Sequence, residues 1–332
     1  LDDYGIRFRR RLRAAGFSGT AIDAVWPAWW SDAAEASPSA IAELRFSVAR
    51  KLGLDPRALS GEQDAPTFVW TDAGRFKHLR AETLFERAAL ASFGMSVGRV
   101  LVDATESSLS IQGAPAKSLR ASILGRTQPF VRLVDLLGLC WSVGIPIVHL
   151  RVFPLEAKRM AAMSVRVGDR YAILLGKDAT YPAWIAFHIA HELGHIAAGH
   201  LRGDTVLVDM EAEGEAKAED GEEDASDGFA LELLTGSAEP RVVTTAVHPG
   251  ARQLAQRALQ ESSGFRIEPG VLALCYGHST GNWPTANKAL KFIYDSERPV
   301  WAEVNKVARA QLDPTRVSED TAGFLEAILG AT

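Results

Sequence analysis

Cysteine is almost missing from this chain. Its two thiols, Cys140 and Cys275, lie far apart with no CxxC spacing, which excludes a disulfide scaffold and a zinc ribbon and fits a reducing compartment. Charge of one sign is not in excess either. Thirty-six basic residues stand against 41 acidic ones, net −5 with a pI near 6.0, so the chain lacks the strongly cationic surface of a constitutive double-stranded DNA binder. A local basic patch stays open. The apolar middle, Leu136 to Leu150, is only 15 residues long and is broken by Gly138, Gly144 and Pro146, too short to span a bilayer. The opening LDDYGIRFRRRLRAAG has basic residues with no apolar segment behind them, so no secretory signal is read there. Neither GxGxxG nor a P-loop occurs, and there is no heptad run or internal repeat. These absences lead us to expect a cytoplasmic protein with no membrane span.

What is there is a chain of 332 residues, 47% of them apolar, enough for a sizeable core and two or three packed units. Residues 1–110 read as an N-terminal helical domain, either helix-turn-helix-like or a docking module. Within it, Ser37 or Ser39 can cap a helix whose apolar stripe is Ile41, Leu44, Val48 and Leu52 and which Gly53 ends. Trp26, Trp29 and Trp30 cluster as a core, a dimer surface or a partner dock. A further amphipathic helix spans 82–103, and a Ser- and Gly-rich linker starts at Glu106. Residues 111–240 form the second unit: a helix near Gln128 to Val143, strands in GIPIVHLRVF, RMAAMSVRVG and RYAILLG with a tight GD turn between the last two, and a long helix from about Pro182 to Gly199. Residues 241–332 continue helical and are expected to cover or extend the second unit. The fold class expected is α+β, mostly helical, with a small mixed or antiparallel sheet packed on the long helix and helical regions flanking it.

That long helix contains His191, Glu192 and His195 as an HExxH motif. At about 100° per residue the two histidines lie about 40° apart, so both imidazoles can reach one Zn²⁺, with Glu192 beside them as base. Ile185, Ile189, Leu193 and Ile196 form a separate stripe for the sheet. A catalytic zinc needs a third protein ligand. Downstream, Asp204 to Asp227 carries 11 carboxylates against one lysine, mostly solvated loop. Its junction with the next helix places Glu223 and Asp227 at i, i+4, the spacing in which one carboxylate ligates and the other orients a ligand histidine. Glu223 is the third ligand on this reading, with Glu222 and Asp224 as fallbacks.

WIAFHIAHELGHIAAGH and EDASDGFALELL resemble the two signature segments of the ImmA/IrrE family of metallopeptidases, with GIPIVHL as the preceding strand. The resemblance covers roughly residues 128 to 290. It implies an intracellular zinc metallo-endopeptidase, gluzincin-like, with zinc ligands His191, His195 and Glu223, general base Glu192 and supporting Asp227. It also implies a protein substrate, a helix-turn-helix transcriptional repressor, whose cleavage releases genes of stress response, mobile elements or phage defence. Manganese is the expected substitute for zinc.

The family often carries a histidine four residues after the second ligand, whereas here His200 is five after His195 and, on a continued helix, points about 140° away from it. We expect it to cap the helix or lie at the surface. Together with His188, Tyr171 and Tyr181 it is carried as a substrate or oxyanion contact. The strand Tyr171 to Leu175 is the expected edge on which an extended substrate adds. In the C-terminal region Arg252, Arg257, Lys288 and Lys291 could meet nucleic acid as a regulator, yet ten basic and nine acidic residues beyond 240 read better as a solvated face. Cys275 beside His278 reads as core rather than as an inhibitory zinc thiolate. The rival reading is a non-catalytic DNA- or protein-binding regulator on the metallopeptidase fold, in which metal serves structure alone.

Overall fold

The computed structural model describes residues 3–31, 33–59, 66–77, 83–106, 109–125, 128–157, 160–210, 221–240 and 249–331. Part of the acidic run, 211–220, lies outside the described residues, as do Ser107 and Ser108 of the expected linker, Arg159 at the start of an expected strand, and 241–248.

The N-terminal third builds α1 (Tyr4–Ala14), α2 (Gly19–Val25), α3 (Pro38–Leu52), β1 (Gly74–Lys77) and α4 (Leu84–Asp103). Ser37 caps α3, accepting from the amide of Ala40, and Leu44, Val48 and Leu52 of the expected stripe are fully buried. Thr83 and Glu86 close a capping box at the start of α4. The middle builds α5 (Ala116–Leu124), α6 (Leu133–Ser142), β2 (Ile147–His149), β3 (Met160–Val167), β4 (Arg170–Leu175), α7 (Pro182–Ala197), β5 (Thr205–Met210) and α8 (Gly221–Thr235). The rest is helical: α9 (Ala251–Phe265), α10 (Pro269–Thr280), α11 (Trp283–Ile293), α12 (Val300–Gln311) and α13 (Glu319–Leu329).

One mixed sheet in the order β1-β5-β3-β4-β2 organises these helices into layers. β3 is antiparallel to both β4 and β5, whereas β1 and β2 add at the two ends in parallel. The β3–β4 hairpin turns on Gly168 and Asp169, as the GD step led us to expect, with Val167 paired to Arg170. Alternation along β3 divides the molecule. Met163 and Val165 face α4 and the N-terminal helices, while Ala162 joins the core around α7. α4 lies close on the sheet because Gly98 has no side chain: a Cβ there would sit 2.5 Å from Cγ1 of Val165. The fold is therefore mostly helical α+β with a small mixed sheet. No helix among the described residues is long and apolar enough to cross a membrane.

The sheet draws on both sides of the boundary expected near residue 110. β1 is one of its strands and α4 covers one face, so both are built into the same layers as the HExxH helix. Phe324 and Ile328 of α13 pack in the N-terminal core too. Trp26 and Trp30 resolve as partly buried packing on that core beside Tyr4 and Phe8. Two sequence expectations are corrected. The long strand read in GIPIVHLRVF is only Ile147–His149: the Leu150 amide still donates to the carbonyl of Leu175, but that of Arg151 turns to Ile328 of α13. β4 is not an open edge either, because β3 pairs along its length and β2 covers Ile173–Leu175. The ends of the sheet are β1 and β2.

Candidate functional site

α7 starts with Pro182 in its first turn and buries Ile185, Ile189, Leu193 and Ile196 against the sheet. This fixes its rotation and turns His191 and His195 toward α8. α8 can come close because position 194 is glycine. A Cβ on Gly194 would meet Cα of Ser226 at 3.0 Å and its carbonyl oxygen at 3.1 Å. The contact sets the first turn of α8, and with it Glu223 and Asp227, over the histidine face.

His191, His195 and Glu223 each offer a ligand atom, all within 4.8 Å of one another. The two Nε2 atoms are 3.0 Å apart, and Glu223 oxygens lie 3.4 Å from each of them. Three ligands held about 2.0–2.1 Å from one tetrahedral ion are separated by roughly 3.3 Å, so the trio fits zinc in size and donor type. The outer nitrogens support this fit. Nδ1 of His191 lies 2.9 Å from Oδ1 of Asp227 and Nδ1 of His195 lies 2.8 Å from Nδ1 of His200. With a proton on each outer nitrogen, two Nε2 atoms and a carboxylate converge, a donor set that suits a shared cation. Of the three acids considered from sequence, only Glu223 reaches both histidines. Glu222 is turned to Arg75 and Lys77, at 2.6 and 3.2 Å, and Asp224 is exposed.

Charge follows from this crowding. Burial alone would lower the pKa of His191, but the carboxylates of Asp227 and Glu223 outweigh it and push it up to about 10. Burial would raise Glu223, yet the two imidazoles hold it far below the usual carboxylate range. Burial lowers His195. Glu192 is fully buried, and burial pushes it up to about 8 although the Ser164 hydroxyl donates to its Oε2 at 2.5 Å. Its Oε1 has no hydrogen-bond partner among the described residues.

The other sequence candidates separate clearly. His200 was expected at the helix cap or the surface, or as a substrate contact; it does sit at the helix end, and its ring is in addition the partner of His195. The helix stops at Ala197, Gly199 takes a left-handed φ of 71°, and the chain folds His200 back, its amide donating to the carbonyl of His195 at 3.0 Å. Tyr181 precedes His191 by ten residues, about 15 Å of helix. It stacks on Tyr294 with centroids 5.3 Å apart and donates to Glu297, so it is no oxyanion contact. Tyr171 is buried in the core with the Arg166 guanidinium 5.7 Å from its ring centroid. His188 is buried between Trp184 and Phe187, its Nε2 without a partner among the described residues, and burial lowers its pKa to about 3. Cys275 is buried on α10, and burial pushes its thiol up to about 12, as suits a core residue.

Sequence reasoning missed Ser164, Arg75 and Lys77. The alternation of β3 places Ser164 on the α7 face, but its partner is 28 residues away. Arg75 and Lys77 reach the site only because β1 pairs in parallel with β5, and no local signal announces that pairing. The chain matches no known protein-family model, no curated protein and no solved structure.

Proposed function

We propose that this protein is a zinc-dependent endopeptidase of regulatory type, working in the cytosol on one or a few protein partners. A helix-turn-helix repressor of the kind cut by the family its two signature segments resemble is the leading substrate. The observation that carries the reading is the convergence of His191, His195 and Glu223 on one face while Glu192 is held separately by Ser164.

Zinc bound by that trio, or manganese in its place, would supply a Lewis acid that polarises a scissile carbonyl and activates water. The chain's own residues do the rest. Asp227 and His200 fix the two imidazoles in orientation and tautomer. Glu192 handles the proton, taking it from the attacking water and delivering it to the leaving nitrogen. Burial raises its pKa and positive charge at the trio lowers it, so charge there decides when Glu192 can accept. Ser164 keeps Oε2 in place, which leaves Oε1 to exchange the proton.

Elemental analysis of wild type, Glu192→Gln and Glu223→Ala, followed by incubation with a helix-turn-helix repressor, tests this. We expect near-stoichiometric zinc in the first two and loss in the third, with cleavage by wild type alone. Wild type that takes up neither zinc nor manganese, or a Glu192→Gln protein that still cleaves, would sink the reading in favour of a binding module.

A further inference from the structure

We propose that Lys77 on the N-terminal strand β1 is the positioning residue for Glu223, which makes the N-terminal third of the chain part of the metal centre. The inference rests on the metallopeptidase reading and extends it to residues outside the two signature segments.

Each histidine of the trio has a partner behind it. Asp227 serves His191 and His200 serves His195. Glu223 is met instead by Lys77, whose Nζ is 3.5 Å from Oε1, the oxygen that lies 3.4 Å from Nε2 of His195, and 3.2 Å from Oε2 of Glu222. Lys77 is itself buried, 8% exposed, so its ammonium is held between two carboxylates instead of extending into solvent. Two positions earlier on the same strand face, Arg75 pairs with Glu222 at 2.6 Å and donates to the carbonyl of His200 at 2.7 Å. β1 therefore braces both elements that carry the trio: the first turn of α8 through Glu222 and Glu223, and the turn after α7 through His200. The strand is fixed in register by Lys77 opposite Asp209 and Arg75 opposite Leu207. A carboxylate at the first turn of a helix, preceded by a long acidic run, has many rotamers open to it. A buried cation beside one of its oxygens removes most of them and keeps the carboxylate directed at the histidines.

The sign of the effect separates positioning from simple electrostatics. Replacing Lys77 by methionine removes a positive charge near the ion, which by Coulomb's law alone tightens cation binding. Loss of a positioning partner weakens it, by about 10- to 100-fold. The test is zinc affinity of the full chain, measured by competition with a chromophoric chelator, for wild type, Lys77→Met and Lys77→Arg. We expect Lys77→Met to bind zinc about 10- to 100-fold more weakly and Lys77→Arg, which keeps a donor to both carboxylates, to recover most of that loss. Arg75→Gln, at a side chain exposed enough to fold without it, should weaken binding in the same direction by a smaller factor. Lys77→Met affinity equal to or tighter than wild type, or loss on Lys77→Met that arginine does not restore, overturns the inference while leaving the peptidase reading intact. Wild type that binds neither zinc nor manganese overturns both. Should Lys77→Met fail to fold, Lys77→Arg and Arg75→Gln decide: unchanged affinity in Arg75→Gln then counts against the brace.

Discussion

Gly194 and Ser226 touch backbone to backbone where α7 crosses α8, and the geometry of the site depends on that contact. The position lies between Leu193 in the core and His195 in the trio, so a side chain there must push α8 outward and carry Glu223 with it.

Gly194→Ala should therefore do two things at once. Overpacking at this crossing costs about 1–3 kcal/mol of stability, and the displaced Glu223 lowers zinc affinity. Chemical denaturation beside zinc titration checks this. Unchanged zinc binding in a destabilised protein would show that the α7–α8 spacing does not set the trio.

Asp227 fixes His191 from outside, at 2.9 Å from its Nδ1. Asp227→Ala should retain the fold and weaken zinc about 10- to 100-fold. Competition titration reads it. An affinity within twofold of wild type would remove Asp227 from the site.

His188 gives a pH dependence with a definite sign. Its folded pKa, about 3, lies below the ordinary 6.5, so the unfolded chain takes up a proton first as pH falls. The stability it contributes is complete above 6.5 and is lost as pH drops toward 3, by up to about 1.4 kcal/mol per pH unit. His191 works in the opposite sense, losing its contribution as pH rises from about 6.5 through 10, so the difference between wild type and His188→Phe isolates the effect. Urea denaturation of metal-free protein at pH 5, 6 and 7 should show wild type losing stability relative to His188→Phe on acidification. Parallel curves would mean that His188 charges freely in the fold.

Asp320 of α13 holds buried Lys51 of α3 at 2.7 Å and accepts from the Ser47 hydroxyl at 2.8 Å. Burial lowers the pKa of Lys51, and this one carboxylate opposes the shift. Asp320→Ala leaves an uncompensated buried ammonium and should cost about 3–5 kcal/mol. The double variant with Lys51→Met should recover much of it. Thermal melting of both proteins decides, and a single variant as stable as wild type would show that water reaches Lys51.

What the sequence by itself determined is what repeats along one element. The 3.6-residue period of α7 carries both the buried Ile185, Ile189, Leu193 and Ile196 stripe and the placement of His191 and His195 on a shared face. The i, i+4 spacing of Glu223 and Asp227 brings both onto one side of α8, and the GD step closes the β3–β4 hairpin. These are local relations, settled by helix geometry and turn chemistry within a few residues. Tertiary structure alone decided the rest. That Glu223 rather than Glu222 faces the histidines depends on how α8 packs over Gly194 and on Arg75 and Lys77 claiming Glu222. His200 turns back because the helix stops at Ala197, a stop that an extrapolated helical wheel does not contain. Ser164 and Lys77 meet the site across the sheet, through pairings between segments far apart in the chain, where neither period nor spacing carries the information.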